Sequence, residues 1–362
     1  MILTFGEIMM RINPQGRLRL RQAIPGTATL TFGGGEANVA ASLATLGMPA
    51  RFVTALPKNV LADCIVGQLR GLDLDTSGIV LTKKGRVGIY LLETGANQRS
   101  SVVVYDRDGS SISLTPPEDY AFEKALAGVT WVHVTGITPA IGEAAFKSTL
   151  ALVTLARARG IKVSCDLNFR KKLWGWRPGV ASTALARECM SAILPHVDVA
   201  IGNEEDAKDV FGIEAAGTSI ESGQIDAQAY RSVAEELVRR FPNLTHVAIT
   251  LRESYSADHN NWGGLLYDAA TRQAHLAPLD AQGRYTPYEI RDIVDRVGGG
   301  DSFCAGLIFG LNHPKYREPQ TALRFAVAAS CLKHSIEGDY NVVSEDEVVA
   351  LMAGSGSGRV RR

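Results

Sequence analysis

The segment from Asp295 to Phe303 contains the residues best suited to chemistry. Three consecutive glycines, Gly298, Gly299 and Gly300, precede Asp301 and an apolar stretch that predicts a helix. The free N–H groups and the positive dipole at a helix N-terminus bind phosphate, and glycines allow a phosphate to come close to the backbone. A carboxylate at the same helix start would stand where a base takes a proton from an attacking hydroxyl. The segment therefore predicts phosphoryl transfer.

A tight turn is the structural alternative for this loop, with Asp301 acting only as the N-cap of the helix. The loop is not a Walker A motif, because no Gly-Lys-Ser/Thr sequence follows the glycines. A second glycine cluster, at residues 33–35, also opens a predicted helix, in which Asn38 offers both a donor and an acceptor. Gly34 would let a ligand approach the backbone there, although a structural turn explains the cluster equally well.

The elements that position these loops alternate along the chain between short apolar runs and helix-like stretches. The runs predicted to form strands are residues 2–5, 50–55, 131–135, 162–165, 197–201 and 246–250. The stretches predicted to form helices are residues 36–46, 144–159, 181–194, 227–241 and 301–310. Continuous apolar strands that alternate with helices are typical of parallel sheets. The sequence therefore predicts an α/β fold with a mostly parallel central sheet flanked by helices.

Several segments depart from this alternation. Residues 12–32 and 85–113 are rich in β-forming residues, in which polar and apolar types alternate, and neither segment is predicted to contain a helix. We expect them to form a small antiparallel β flap, or lid, that stands apart from the central sheet. Residues 252–264 predict a long ordered loop or insertion, and loops of that length are often functional. The residues from 353 to 362, rich in Gly and Ser, predict a disordered tail.

The composition limits the partners of the chain. The 362 residues include 38 Lys and Arg and 38 Asp and Glu, so the net charge is zero, and neither nucleic acid nor a membrane surface is expected as a partner. No apolar run is long enough to span a bilayer. The five cysteines are scattered without metal-binding spacing and lie in apolar surroundings, which favours reduced thiols in a cytoplasmic protein.

The two glycine loops together carry a family resemblance. The sequence Gly-Gly-Gly-Glu-Ala-Asn-Val-Ala at residues 33–40 and the sequence Asp-x-x-Gly-Gly-Gly-Asp-Ser-Phe at residues 295–303 resemble the two signatures of the ribokinase-like (PfkB) carbohydrate kinases. The resemblance extends over about residues 1–352 and implies one ribokinase-like kinase domain of that extent, lid included. It also implies an ATP-dependent sugar kinase that uses Mg²⁺ and a monovalent cation such as K⁺.

The resemblance implies a role for five residues of the C-terminal loop. Asp301 would be the catalytic base for a sugar hydroxyl. The amides of Gly298, Gly299 and Gly300 would stabilise the charge that develops on the transferred phosphoryl group. Asp295 matches the family position that helps to hold the monovalent cation.

Other segments match the magnesium and nucleotide sites of the family. Residues 203–206, Asn-Glu-Glu-Asp, correspond to its Asn-x-x-Glu motif, so the resemblance places Asn203 near the nucleotide and Asp206 near magnesium and phosphate. The Asp206 side chain reaches less far than a glutamate, and acidic first-turn residues of an ordinary helix are the structural alternative. Thr250 ends a predicted strand at the family's nucleotide side and Arg252 follows it, so the resemblance implies that they line the phosphate or ribose site.

Two further segments bear on the sugar. Residues 105–107, Tyr-Asp-Arg, lie at the end of the predicted lid, and residues 166–174 follow a predicted strand, where polar side chains of a parallel sheet face the ligand crevice. The guanidinium fork binds carboxylates, so these segments favour an acidic sugar. Both resemble segments of 2-keto-3-deoxygluconate kinases. That resemblance implies a substrate site made of Gly34, Asn38, Tyr90, Tyr105, Arg107, Asn168 and Arg170.

The predicted reaction is transfer of the γ-phosphoryl group of ATP to the terminal hydroxyl of 2-keto-3-deoxygluconate, which gives the 6-phosphate. Taken singly, the arginines are explained by solvated surface charge and the tyrosines by packing, and only the set favours a ligand site. The open alternatives are a family kinase for another sugar and a non-catalytic sugar-binding protein on the same fold. Those other sugars are a phosphofructokinase-like substrate, tagatose phosphate, fructose, ribose and 5-keto-2-deoxygluconate. A lid with one apolar face also predicts a homodimer through the lid.

Overall fold

A nine-stranded sheet forms the centre of the computed structural model, which describes residues 1–203, 205–214 and 227–354. The described strands, in chain order, are β1 (Ile2–Phe5), β2 (Met9–Pro14), β3 (Ala28–Gly33), β4 (Ala50–Val53), β5 (Ala55–Pro57), β6 (Val80–Thr82), β7 (Gly88–Glu93), β8 (Val102–Asp106), β9 (Trp131–Thr135), β10 (Lys162–Asp166), β11 (Val199–Gly202), β12 (His246–Ser256), β13 (His259–Asp268), β14 (Gln273–Ala277) and β15 (Tyr288–Ile290). The order in the central sheet is β14-β13-β12-β11-β10-β9-β1-β4, and β15 pairs with β13.

Parallel pairing dominates this sheet. All neighbours from β12 to β4 run parallel, whereas β13 pairs antiparallel with β12, β14 and β15. The prediction of a mostly parallel central sheet is confirmed. Parallel strands bring their carboxyl ends to one edge of the sheet, so the polar residues that follow these strands lie close together.

Helices cover both faces of the central sheet. The described helices are α1 (Leu20–Ala23), α2 (Gly35–Thr45), α3 (Val60–Gly71), α4 (Ser111–Leu114), α5 (Phe122–Ala125), α6 (Ile137–Ala140), α7 (Glu143–Ala158), α8 (Ser182–Ile193), α9 (Asp206–Phe211), α10 (Ala227–Arg240), α11 (Gly299–Asn312), α12 (Pro319–Lys333) and α13 (Glu345–Met352). Leu3 and Phe5 of β1 belong to the core beneath α7, α8 and α10, whereas Ile2 belongs to the core beneath α2, α11 and α12. Because successive strand residues point to opposite faces, one apolar strand serves both cores, and the α/β fold is confirmed.

The lid is a separate four-stranded sheet with the order β3-β2-β7-β8. Its outer pairs, β2–β3 and β7–β8, are antiparallel, whereas its central pair, β2–β7, is parallel. The sheet begins at Met9 rather than at residue 12. The prediction that the lid segments contain no helix was wrong, because α1 and α4 each form a helix of four residues. Helices of one turn are too short to show a helical repeat of apolar residues in the sequence.

The prediction of a long loop or insertion at residues 252–264 was also wrong. β12 and β13 pair through these residues as an antiparallel hairpin. Gly263 and Gly264 lie inside β13. A Cβ on Gly263 would stand 2.2 Å from Tyr285 Oη, and a Cβ on Gly264 would stand 3.0 Å from the Phe303 ring. The two glycines permit the close approach of these two aromatic side chains.

The five cysteines carry no disulfide in the structure. Cys165, Cys189 and Cys304 are buried as expected, whereas Cys64 is exposed. Within the described residues, no helix combines the length and the apolar character that a membrane crossing requires. Glu204 of the Asn-Glu-Glu-Asp segment and residues 355–362 of the predicted tail lie outside the described residues.

Candidate active site

A cleft of about 380 Å³ opens where the parallel strands end, as the sheet topology predicts. All of the predicted site residues except Asp295 line it. They are Gly34, Asn38, Tyr90, Tyr105, Arg107, Asn168, Arg170, Asn203, Asp206, Thr250, Arg252, Gly298, Gly299, Gly300 and Asp301. The fold therefore brings into one cleft both arginines predicted to bind a sugar acid and the aspartate predicted to act as the base.

The glycine loop forms the N-terminus of α11. Gly298 has a left-handed backbone with φ of 81°, and a Cβ on it would stand 2.2 Å from the backbone oxygen of Asp339. The left-handed conformation and the close contact both require glycine at this position. A Cβ on Gly300 would meet no atom within 4 Å, so open space adjoins the first turn of the helix. The free N–H groups of that turn are available to an anion in the cleft.

Asp301 lies in the first turn of α11, opposite α2. Asn38 Nδ2 donates a hydrogen bond of 2.7 Å to Oδ2 of Asp301, and Asn38 Oδ1 accepts a bond of 3.2 Å from the amide of Gly34. Burial raises the pKa of Asp301 to about 6, and the bond from Asn38 opposes that rise. A carboxylate with such a pKa is ionised at neutral pH and still basic enough to take a proton.

Glu36 is a buried acid to which the sequence interpretation gave no role. Its Oε1 accepts hydrogen bonds from the Thr135 amide (3.2 Å), the Thr135 hydroxyl (2.8 Å) and the Thr138 hydroxyl (2.7 Å). Burial raises the pKa of Glu36 to about 7, and the two threonine hydroxyls oppose this. A Cβ on Gly6 would stand 2.1 Å from the Glu36 carboxyl group. Glu36 thus holds the start of α2 against the end of β9. The sequence feature that could have identified Glu36 is its place in the Gly-Gly-Gly-Glu sequence.

Arg107 and Glu7 form a buried ion pair on the lid side of the cleft. The guanidinium carbon of Arg107 lies 5.3 Å from the centre of the Tyr105 ring. Arg107 Nε and Glu7 Oε1 have no hydrogen-bond partner among the described residues, so each is free to bind a ligand atom. Glu7 was not predicted, although it lies two residues after the end of β1, where polar residues face the crevice.

Asp166 and Asp206 place two carboxylates beside the glycine loop. Asp206 Oδ2 accepts a hydrogen bond of 2.8 Å from the Asn203 amide, and Asp166 accepts bonds of 3.2 and 3.3 Å from Asn168. Burial and the charge of Asp206 raise the pKa of Asp166, whereas Arg170 lowers it. Carboxylate oxygens suit Mg²⁺, although the described part of the chain holds no group of three or more His, Cys, Asp or Glu side chains placed to bind a metal.

The opposite side of the cleft is basic. Arg252 is exposed and lines the cleft, as Thr250 and Asn203 do. Arg296 also lines this side, and its Nη2 donates a hydrogen bond of 3.1 Å to Asn260 Oδ1. Burial and the nearby charge of Arg252 lower the pKa of Arg296. Two neighbouring guanidinium groups supply the positive charge that a nucleotide phosphate requires, and the sequence interpretation had given no role to Arg296.

Asp295 lies behind the loop and does not line the cleft. Arg11 Nη2 donates to its Oδ2 at 2.6 Å, and the amides of Gly338 (3.1 Å) and Val297 (3.0 Å) donate to its two oxygens. A monovalent cation at this carboxylate would face the guanidinium charge of Arg11, so the contacts of Asp295 do not fit such a cation. The predicted cation site at Asp295 stays a prediction that these contacts do not favour.

Known proteins resemble this chain in sequence and in fold. The family described as pfkB family carbohydrate kinase matches residues 1–251. The crystal structure of a 2-dehydro-3-deoxygluconokinase from Thermotoga maritima matches with a TM-score of 0.87 and 42% identity, over 98% of this chain and 99% of that one. A 2-dehydro-3-deoxygalactonokinase from Haloferax volcanii is 28% identical over 360 residues, which are 99% of this chain and 98% of the relative.

A further relative carries another sugar name. A 5-dehydro-2-deoxygluconokinase from Shouchella clausii is 29% identical over 324 residues, which are 88% of this chain and 85% of the relative. The family match covers more than half of the chain, and the Thermotoga structure matches almost all of it. This chain therefore belongs to the pfkB family of carbohydrate kinases.

Proposed function

We propose that this kinase transfers the γ-phosphoryl group of ATP to the terminal hydroxyl of 2-keto-3-deoxygluconate and forms the 6-phosphate. The observation that carries the proposal is that Arg107 and Arg170 line the same cleft as Asp301. A neutral sugar needs only hydrogen-bond partners, whereas a sugar acid needs a local cation, and the guanidinium fork matches a carboxylate. Similarity to a 2-dehydro-3-deoxygluconokinase over nearly the whole chain supports the same substrate.

The sugar acid would lie on the lid side of the cleft. Arg107 and Arg170 would bind its carboxylate. Asn168 Oδ1 and Glu7 Oε1, which have no partner among the described residues, would accept hydrogen bonds from its hydroxyls. The Tyr90 hydroxyl already donates to the Asp339 carboxylate at 2.6 Å, so we assign to Tyr90 a contact through its ring.

Asp301 is the base in the proposed mechanism. It would take the proton of the terminal hydroxyl, whose oxygen would then attack the γ-phosphorus in line with the leaving oxygen. The amides of Gly298, Gly299 and Gly300 would stabilise the negative charge that develops on the phosphoryl oxygens. The hydrogen bond from Asn38 holds the carboxylate in place before the sugar arrives.

ATP would occupy the basic side of the cleft, with Thr250, Arg252 and Asn203 near its phosphates or ribose. Mg²⁺ would bind near Asp206 together with phosphate oxygens and water, and when bound it neutralises charge on the phosphates. We propose no metal ion at Asp295, because Arg11 occupies that carboxylate. Dependence on ATP, together with five unpaired cysteines, also supports a cytoplasmic location.

The galactonate epimer, 2-keto-3-deoxygalactonate, is a second candidate substrate. The observation in its favour is the relative named a 2-dehydro-3-deoxygalactonokinase, which matches 99% of this chain. Both epimers carry the same carboxylate, so Arg107 and Arg170 would bind either one. Discrimination between the epimers would therefore depend on hydroxyl partners such as Asn168 rather than on charge.

A homodimer formed through the lid is also proposed, because one face of the lid is apolar and exposed. Cross-strand register places Leu30, Ile12, Leu91 and Val104 in one row across β3, β2, β7 and β8. Leu30 at one end of the row is 62% exposed and Val104 at the other end is 48% exposed. An edge strand with such an apolar row is a surface that a second copy would cover.

The first prediction concerns the substrate. In assays that couple ADP release to a signal, we expect the highest kcat/KM with 2-keto-3-deoxygluconate among a panel that includes its galactonate epimer, 5-keto-2-deoxygluconate, fructose 6-phosphate, fructose and ribose. Arg170→Met should raise KM for the sugar acid at least about tenfold, because a charge-assisted bidentate contact is lost. The substrate assignment would be refuted if the protein phosphorylated a phosphosugar or a neutral sugar but not the sugar acid.

The second prediction concerns Asp301. Asp301→Asn should keep the affinity for the sugar in a calorimetric titration and reduce kcat by about 10²–10⁴-fold, because the base is lost. In the wild type, kcat/KM should fall as the pH drops below about 6, because the pKa of Asp301 lies there and its protonated form accepts no proton. Asp119→Asn, which removes an exposed carboxylate, is the control and should leave both quantities unchanged. Near-normal turnover of Asp301→Asn would exclude Asp301 as the base.

The third prediction concerns the ion pair in the cleft. Glu7→Gln should lower the free energy of unfolding by about 3 kcal/mol, because the buried Arg107 guanidinium loses its counter-charge. A sugar acid supplies a new carboxylate to Arg107, so it should raise the melting temperature of Glu7→Gln more than that of the wild type. Asp106→Asn breaks the exposed pair with Arg86 and should cost less than about 1 kcal/mol in urea denaturation. Equal losses in both variants would show that the pair in the cleft has no special role.

The fourth prediction concerns the dimer. Light scattering after size-exclusion chromatography should give twice the chain mass of 38.8 kDa, and Val104→Glu should give the monomer mass, because it buries a charge in the interface. Lys58→Glu, at an exposed position outside the lid, is the control. A mass of 38.8 kDa for the wild type at assay concentration would rule out the lid dimer.

A further inference from the structure

A buried ionic cluster made of Arg11, Lys333, Asp295 and Asp339 lies behind the glycine loop. Arg11 Nη2 contacts Asp295 Oδ2 at 2.6 Å, and Arg11 Nη1 contacts Asp339 Oδ1 at 2.9 Å. Arg11 is 2% exposed and Lys333 is 0% exposed. Buried arginine and lysine side chains are rare, because a charge loses much solvation free energy when it leaves water. The cluster therefore needs an explanation beyond packing.

Lys333 connects this cluster to the glycine loop. It is the last residue of α12, and its Nζ donates a hydrogen bond of 3.0 Å to the backbone oxygen of Ile336. A Cβ on Gly298 would stand 3.4 Å from Lys333 Cε, so the lysine stem packs directly behind the loop. Burial raises the pKa of Asp301, and the charge of Lys333 is among the groups that oppose this rise. The ammonium charge therefore favours the ionised form of Asp301.

The remaining contacts hold the loop against the same segment. Ser330 Oγ donates a hydrogen bond of 2.6 Å to the backbone oxygen of Gly299, and the backbone oxygen of Asp339 leaves room only for glycine at residue 298. The Gly338 amide donates to Asp295 Oδ2 at 3.1 Å. The end of α12 and the residues that follow it thus form the support of the loop, and Lys333 lies within that support.

The charges of the cluster balance without an added ion. Asp295 and Asp339 form ion pairs with Arg11, and burial lowers the pKa of Lys333 whereas the charges of the two carboxylates oppose this and favour its ammonium form. A monovalent metal ion at Asp295 would add a third positive charge close to the guanidinium and the ammonium, where the low dielectric strengthens repulsion. Both oxygens of Asp295 also already accept hydrogen bonds from Arg11 or from backbone amides.

We propose that Lys333, paired through the cluster with Arg11, supplies the fixed positive charge behind the glycine loop that a monovalent cation would otherwise supply. An ammonium group is a compact single charge that binds backbone oxygens, as Lys333 Nζ binds that of Ile336. Lys333 is a positioning residue in this proposal, because it supports the loop and Asp301 without touching the substrate. Phosphoryl transfer by this chain therefore needs no K⁺. The inference depends on the kinase activity but not on the identity of the sugar.

The direct test is a cation titration of the wild-type protein. The protein is dialysed into tetramethylammonium buffer, and kcat is measured as KCl, NaCl or LiCl replaces tetramethylammonium chloride up to about 0.1 M at constant ionic strength, so that general screening stays the same. We expect kcat to change by less than about twofold in all three series. Saturable activation by K⁺ of about fivefold or more, without equal activation by Na⁺ and Li⁺, would overturn the proposal.

Variants of Lys333 test the residue itself. In the cation-free buffer, Lys333→Ala should lower kcat at least about tenfold with little change in KM for the sugar, because the transition-state charge loses support. KCl or NH₄Cl should restore part of that kcat, since the shortened side chain leaves room for a cation. Lys333→Met keeps the volume of the side chain without its charge. Its kcat should be low, and neither KCl nor NH₄Cl should restore it. Lys58→Ala, an exposed lysine, is the control.

Two results with the variants would overturn the proposal. If Lys333→Ala had the same kcat as the wild type in the cation-free buffer, the charge of Lys333 would not be needed. An equally low kcat of Lys333→Ala with and without K⁺ would show that the side chain acts through packing alone. The titration uses whichever sugar the panel turns over, so a wrong sugar assignment leaves it intact. A K⁺-specific rise in the melting temperature of the wild type with Mg²⁺ and ATP would also contradict the proposal, and that measurement needs no sugar.

Discussion

The chemistry of this kinase depends on the contact between the N-termini of α2 and α11. A hydrogen bond of 2.7 Å from Asn38 to Asp301 joins two residues that lie 263 positions apart in the sequence. Both helix starts present free N–H groups and positive dipole ends to the same cleft, which favours negative charge there. The same contact keeps an aspartate ionised in a partly buried place, because Asn38 opposes the rise in the pKa of Asp301 that burial causes. The proposed phosphate site and the proposed base thus depend on one packing arrangement.

Arg170 has an electrostatic role beyond the proposed binding of a substrate carboxylate. Its charge lowers the pKa values of Asp166, Asp206 and Asp301 against the effect of burial, so one guanidinium favours the ionised form of three carboxylates. A sugar carboxylate bound to Arg170 would neutralise part of that charge. The pKa of Asp301 would then rise, and Asp301 would become a stronger base only when the acidic substrate is present. In the proposed complex, the charge of the substrate and the strength of the base would be coupled through this side chain.

The sequence predicted the loops well because each is a local pattern. An apolar helix preceded by Gly298, Gly299 and Gly300 predicts an anion site. The strands that lead into the cleft are short continuous apolar runs. The ion pair of Arg11 with Asp295 spans 284 positions, so no local pattern contains it. The hairpin of β12 and β13 was missed for a different reason. Its glycines are required by packing against Tyr285 and Phe303, which is a tertiary contact that single-sequence patterns do not show.

The two faces of the lid differ, because successive residues of each strand point to opposite faces of the sheet. Arg11, Tyr90 and Tyr105 lie in one cross-strand row, which faces the ionic cluster and the cleft, whereas Ile12 belongs to the neighbouring, outward row of apolar residues. A shift of one residue in β2 would exchange the two faces and place Ile12 where the ion pairs of Arg11 must form. The buried salt bridges of Arg11 therefore fix the register of the lid.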